Sequence, residues 1–340
     1  MARLNVLVTG GTGFVGSYIL RYLLQKGYHV KALRRSSSSM YLVSDIEDQV
    51  EWVEGDILDV PFLESALKGV NHVYHAAAVT SSNSKQFSQM LKVNAEGTGN
   101  IVNASLYVGI DKFIHLSSVA ALGKRAHQLN VDENSHWENS KQNSNYAISK
   151  FKAECEVWRG VQEGLNANII NPSVIIGAGH WNSGSCRLFK NAINGLKYYP
   201  QGGSGFVDVR DVARIAIALM ESNISGERYI LNAQNCSYKD FFSMASLALG
   251  KAPPLQKENP LMIATLWRLD WLLSKLFMPT PFFTKNIVKT SKRTSCYINK
   301  KIKRDLNYEF ISVSESIKEI AAVFLNSQKL NMDYGTLTIN

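Results

Sequence analysis

Cysteine is scarce in this chain, and the four present (Cys155, Cys186, Cys236 and Cys296) fall without metal-ligand spacing. That argues against a zinc ribbon or a disulfide-stapled scaffold, gives no reason to expect a metal, and makes reduced thiols in a cytoplasmic protein the default. No run approaches the roughly 20 apolar residues of a membrane span. A signal peptide is not expected, because Arg3 and Asn5 lead straight into an apolar run that a glycine turn cuts short. Internal repeats are lacking, and so is any basic motif interleaved with aromatics, so nucleic acid is not an expected partner. The net charge is nevertheless +9, with much of the excess between Lys285 and Arg304. This reads as a solvated face; attraction to an anionic substrate or membrane surface is the sharper alternative. With 340 residues, 45% hydrophobic and 19% charged, the chain suits one large domain or two coupled ones.

What is present alternates. Residues 5–9, 29–33, 50–54, 72–76, 112–116 and 167–171 are short apolar runs that predict strands. Between them, 14–26, 60–67, 86–108 and 145–164 carry helical patterns. Such alternation predicts an α/β protein, a Rossmann-type doubly wound parallel sheet with helices on both faces. The strands are continuous runs, as expected where both faces are covered. After Pro172 the regularity breaks, and the glycine-rich 177–205 reads as loop with one helix at 187–194. A helix at 209–221 capped by Asp208, a strand at 228–231 and a serine-capped helix at 237–249 follow. Residues 261–277 fit an amphipathic helix over a substrate cleft or, alternatively, one lying on a membrane surface. The expected organisation is a core over 1–175, rejoined by 206–232. Residues 176–205 and 233–330 would form a smaller, mostly helical C-terminal substrate-binding cap, with a tail at 331–340.

Between the first strand and first helix stands Gly10-Gly11-Thr12-Gly13-Phe14-Val15-Gly16. Strand, glycine turn and helix together set backbone N–H groups against a pyrophosphate. Gly10 allows the tight turn, Gly13 lets the diphosphate approach, and Gly16 lets helix and strand pack closely. At the end of the second strand, the acid that would hold the ribose hydroxyls of NAD is missing; Arg34 and Arg35 stand there, followed by serines. A guanidinium suits a 2′-phosphate, so NADP(H) is favoured, with NAD(H) as the alternative. Asp56, beside Ile57, follows the third strand, where it can accept from an adenine amino group. Ala76, Ala77 and Ala78 close the fourth strand with side chains small enough for a flat cofactor, and His75 reads as packed beside it. Tyr146 and Lys150, four apart on a helix, share a face. The ammonium is expected to lower the phenol from about 10, making Tyr146 a usable acid or base. Ser118 ends the fifth strand, on the ligand side of such a sheet, where it can donate to a reacting oxygen.

In this set the chain resembles the extended short-chain dehydrogenase/reductases of the epimerase/dehydratase superfamily. The resemblance includes Asn94 in Val93-Asn94-Ala95-Glu96-Gly97-Thr98 and the run Pro172-Ser173-Val174. The arginine strand end, Pro172 onward to Gly177 and the aromatics of 267–283 look most like the dihydroflavonol reductase and 3-beta-hydroxysteroid dehydrogenase branch. The resemblance implies that Tyr146 gives or takes the proton, Lys150 binds the nicotinamide ribose, and Ser118 positions the carbonyl. It implies that Asn94 supports a helix kink and a water-linked proton relay, and that Ser173 and Val174 meet the carboxamide through their backbone. The activity implied is NADP(H)-dependent reduction of a ketone or aldehyde, or oxidation of the alcohol, on a small, fairly apolar substrate. One alternative is a nucleotide-sugar epimerase or dehydratase with tightly held NAD. It is weakened by the absence of a cation in Gly202-Gly203-Ser204-Gly205 before Phe206, and by Val119-Ala120 after Ser118. The other is a non-catalytic dinucleotide-sensing module, against which Tyr146 and Lys150 both stand. The resemblance also implies a two-fold homodimer through the helices at 86–108 and 145–164.

Overall fold

The computed structural model describes residues 4–81, 83–123, 130–140, 143–258 and 294–339. The expected helix at 261–277, the aromatics of 267–283 and the basic residues from Lys285 to Arg293 lie outside the described residues.

Seven strands form one sheet: β1 (Asn5–Thr9), β2 (His29–Arg34), β3 (Glu51–Glu54), β4 (His72–His75), β5 (Lys112–Leu116), β7 (Ala167–Pro172) and β11 (Glu227–Leu231). Their order is β11-β7-β5-β4-β1-β2-β3, and each neighbouring pair is parallel. Successive side chains of a strand point to opposite faces. In β1, Val6 and Val8 accordingly enter one core and Leu7 the other, all three fully buried. The first core is closed by α1 (Phe14–Gln25), through Ile19, Leu20 and Leu23, and by α7 (Val209–Glu221), through Val212, Ile215 and Leu219. The second is closed by α2 (Val60–Ala66), α4 (Gly97–Val108) and α5 (Asn145–Gln162), through Leu63, Ile101 and Val157. β1 has β2 on one side and β4 on the other, so the chain reverses direction of winding there. Open α/β sheets bind ligands in the crevice at the strand C-termini at such a point.

The expected helix at 86–108 is built differently. A short α3 (Phe87–Met90) passes into a π-helical turn over Leu91–Glu96, which then continues as α4. The region 177–205 carries the one helix expected near 187–194 and, beyond that expectation, strands. It holds α6 (Arg187–Ile193) and ends in β10 (Gly203–Asp208), which pairs with β8 (Val174–Ile176) and β12 (Gln234–Ser237) in a second sheet. The glycines of β10 mark close approach: a Cβ on Gly205 would stand 2.1 Å from Asn232 Oδ1. Short pairs join β9 (Tyr198–Tyr199) to β13 (Gln256–Lys257) and β6 (Asn130–Val131) to β14 (Cys296–Tyr297). Asp208 caps α7 and Ser237 caps α8 (Tyr238–Ala248), as their residue types predict.

Two helices without a counterpart in the sequence reading follow: α9 (Lys300–Leu306) and α10 (Val313–Lys329). α10 lays Ile317, Ile320 and Phe324 onto the first core. Arg210 fixes it to α7, with Nε 3.0 Å from Asp208 Oδ1 and Nη1 2.5 Å from Glu319 Oε2. Residues 333–339 then return to the core, where Leu337 is buried. Among the described residues, no helix is long and apolar enough to cross a membrane.

Candidate active site

At the β1 end of the crevice, the glycine turn is forced by space. Gly10 has φ +72, and a Cβ there would lie 2.7 Å from the Ala76 carbonyl carbon; one on Gly16 would lie 2.1 Å from the Gly10 carbonyl oxygen. Helix α1 starts at Gly13 with no side-chain cap and no acid in its first turn. Its leading N–H groups are thus left for an external anion, which the helix dipole favours. The turn opens into a cavity of about 690 Å³, within the usual range for a small-ligand site. A bare helix start facing a cradle without Cβ atoms fits the diphosphate of a dinucleotide.

Gly10, Thr12, Gly13, Phe14, Val15, Gly16, Ala76, Ala78, Tyr146, Lys150 and Val174 all border this cavity, bringing both ends of the expected site together. Other expected residues stand elsewhere. Ala77 gives its N–H to Thr9 Oγ1 (3.3 Å). Asp56 holds its own turn, accepting from Leu58 N–H at 3.0 Å, while Ile57 is buried in the second core. Pro172 is buried at the β7 end. Ser173 commits its N–H to Leu231 O (2.9 Å) and its side chain to Asn232 Oδ1 (3.1 Å). Of the pair implied to meet the carboxamide, Val174 therefore borders the cavity, and the Ser173 N–H is spent on the sheet. Arg34 has one guanidinium nitrogen 3.5 Å from Glu54 Oε2, and its buried Nε has no partner. Arg35 is exposed, with its N–H on Ser38 Oγ at 3.0 Å.

Ser144 caps α5, accepting from Ala147 N–H at 3.1 Å, and so sets where Tyr146 and Lys150 face. The Ser118 hydroxyl is near enough to the Tyr146 phenol to pull it toward its charged form. Lys150 is 1% exposed and donates to Leu116 O at 2.8 Å. Burial pushes this ammonium down to about 8, with the Glu154 carboxylate partly opposing the shift. The expected fall of Tyr146 is not what the geometry produces. Desolvation raises the phenol above its ordinary value, and the Ser118 hydroxyl offsets only part of that. The Lys150 ammonium is turned to the Leu116 carbonyl instead of the phenol.

Asn94 lies inside the π turn, fully buried. Its Oδ1 accepts from Val79 N–H (2.7 Å), and its Nδ2 donates to Val79 O (2.9 Å) and Ser149 Oγ (3.0 Å). Ser149 in turn donates to Tyr146 O at 2.8 Å. The implied kink is thus a π turn, and the Asn94 amide is occupied in joining the 79 loop to α5. His75 is packed as read, between Thr9 Oγ1 (2.7 Å) and Thr98 Oγ1 (2.9 Å). Burial, with Lys150 nearby, takes it down to about 3, so it stays neutral.

Sequence reasoning passed over Glu154, one turn beyond Lys150. Its Oε1 accepts from Ser117 Oγ and Asn171 Nδ2, both at 2.5 Å. The repeat Tyr146, Lys150, Glu154 at four-residue spacing was the available signal. Also passed over were Ser39, Tyr41, Thr80, His180, Ser185 and Cys186, all on the cavity wall from loops and single helical turns with no pattern of their own.

The family model described as the NAD dependent epimerase/dehydratase family matches residues 6–232. A protein of Synechocystis sp. assigned as a dihydroflavonol 4-reductase is 29% identical, covering 94% of each chain. Cinnamoyl-CoA reductase 1 of Oryza sativa subsp. japonica is 29% identical over 66% of this chain and 70% of its own. Among solved structures, gox2253 superposes with a TM-score of 0.80 at 32% identity, covering 96% of this chain and 99% of that one.

Proposed function

This chain belongs to the NAD dependent epimerase/dehydratase family, and from that premise we propose an NADP(H)-dependent reductase acting on the ketone or aldehyde of a small, fairly apolar molecule. Family and relatives make it an NAD(P)-dependent oxidoreductase of the extended short-chain type. The observation that carries the finer reading is the meeting of Tyr146 and Lys150 on one wall of the cavity, with the Ser118 hydroxyl near enough to influence the phenol. The relatives named as dihydroflavonol and cinnamoyl-CoA reductases support the same direction.

The bound nicotinamide supplies or accepts the hydride. The glycine turn would hold the diphosphate of the dinucleotide at the start of α1. Arg34 and Arg35 stand at the end of β2, where the acid that would hold the ribose hydroxyls of NAD is missing, which supports a 2′-phosphate there. Ser118 donates to the substrate carbonyl oxygen. Tyr146, kept protonated by desolvation, holds the proton that the oxygen receives. The Lys150 ammonium keeps positive charge at the tyrosine end of the cavity, where negative charge develops. The absence of a cation in Gly202-Gly203-Ser204-Gly205, just before Phe206, weighs against a substrate diphosphate and so against a nucleotide sugar.

The test is a titration of wild type and Arg34→Ala with NADPH and NADH. A preference for NADPH that collapses in the variant supports the reading. Enzyme purified with tightly held NAD and indifferent to NADPH would overturn it, in favour of a nucleotide-sugar epimerase or dehydratase.

A further inference from the structure

Residues 333–339 touch two rims of the cavity at once. On the first rim, Trp181 N–H donates to Asp333 O (2.8 Å) and Gly335 N–H donates to Gly179 O (3.0 Å). Between them, His180 and Tyr334 form an antiparallel bridge, and Asn182 Nδ2 lies 3.2 Å from Asp333 Oδ1. On the second rim, the Tyr334 ring stacks on Tyr41, centroids 5.7 Å apart and planes within 20°. His180 and Tyr41 both line the cavity. The first follows β8; the second follows the segment leaving β2, past Arg34 and the serines. The clasp is also anchored below. Leu337 N–H donates to Tyr18 Oη (2.8 Å), and Tyr18 donates to Ala178 O (2.8 Å). Tyr18 belongs to α1, the helix that begins at the glycine turn.

Tyr41 is 62% exposed and sits on a segment rich in serine. The segment is pinned from below, with Val43 fully buried in the first core and Arg21 donating to Leu42 O at 2.8 Å. The Tyr41 ring stands out from it, and a ligand that needed that ring ordered would bind with its ordering entropy subtracted. A stacked aromatic partner removes that cost in advance.

We propose that Tyr334 is a positioning residue for the dinucleotide. Through Tyr41 and His180, it holds together the two rims of the cleft and sets the affinity for the adenosine half. This rests on the reading that the cavity takes a dinucleotide.

The experiment is calorimetric titration of the full chain with NADPH, NADH and 2′,5′-ADP. It compares wild type, Tyr334→Ala, Tyr334→Phe, Tyr41→Ala and the double alanine variant, with thermal melting of each. Tyr334→Ala should raise the Kd of the tighter-binding dinucleotide about three- to tenfold, as loss of one aromatic pair predicts. Tyr334→Phe should bind as wild type does. The double variant should lose no more than either single, because both remove one contact. Melting midpoints should stay together. An unchanged Kd in Tyr334→Ala, a Tyr334→Phe as weak as the alanine variant, or a loss seen only alongside a lowered midpoint would overturn the inference. Wild type preferring NADH would sink the NADP reading alone, since the ratio of variant to wild type still decides the clasp. Wild type binding no dinucleotide would sink both.

Discussion

Arg228 places a guanidinium nitrogen 2.9 Å from the Glu154 carboxylate, in the side-chain network just behind Lys150. The carboxylate is 1% exposed and would not stay ionised alone. Burial raises Glu154, while Arg228, Ser117 and Asn171 each pull it back toward the charged form. The pair therefore keeps a negative charge one helical turn from the buried ammonium, with the neutral His75 and His115 rings as its other titratable neighbours.

From this follows a pH profile. Lys150 loses its proton through about 8 in the free enzyme, and the Glu154 charge delays that loss. Glu154→Gln should move the alkaline limb of kcat/KM to lower pH. A limb in the same place in both enzymes would mean that Lys150 does not set it.

Tyr146→Phe removes the phenolic proton, and little volume. Turnover should fall about 10²- to 10⁴-fold, the usual contribution of a positioned acid or base. Dinucleotide affinity should stay near that of wild type, because that proton is needed only in the reaction. Steady-state rates with direct binding measurements separate the two, and a variant at full rate would remove Tyr146 from the chemistry.

Gly16→Ala pits one methyl group against backbone. The added Cβ would lie 2.1 Å from the Gly10 carbonyl oxygen and 2.9 Å from Gly11 Cα, neither of which can rotate away. The start of α1 must shift, at a cost of about 1–3 kcal/mol or more. The variant should melt several degrees lower and lose most dinucleotide binding. Tight binding with a normal midpoint would show that the turn yields more easily than its contacts indicate.

Asp211, on α7, accepts from Tyr308 Oη (2.8 Å) and Ile311 N–H (3.0 Å). Burial pushes its carboxyl up to about 7, against the Tyr308 hydrogen bond. A raised acid favours the folded state most below its ordinary value near 3.8, and that advantage is lost as pH rises through about 7. The melting midpoint should therefore fall between pH 5.5 and 8.5, and fall less in Asp211→Asn. Equal slopes in the two proteins would place the titrating group elsewhere.

Much of the architecture was written locally. β1 reads as a strand because Val6, Leu7 and Val8 are apolar on both faces, and the glycine turn reads correctly because its context is adjacent in sequence. Tyr146 and Lys150 share a face by helix geometry alone. What escaped depends on partners far along the chain. The glycines of β10 look like loop until Asn232 is seen pressed against Gly205. Lys300 to Arg304 reads as solvated charge, although Ile302 among them is fully buried in α9. The sign of the Tyr146 shift turned on how much protein surrounds the hydroxyl, which no spacing of residues reports. The wall residues Tyr41 and His180 come from a single helical turn and a loop, whose place is set by what they pack on.

The hydrogen bond from Leu337 to Tyr18 spans 319 positions of sequence. Ribosomes add about 5–20 residues each second, so Tyr18 is made roughly 15–65 s before Leu337. During that interval the nascent crevice has its glycine turn but lacks its far closure. A newborn chain must keep the Tyr18 hydroxyl in reserve until Leu337 is made, and the Trp181 amide until Asp333 is made.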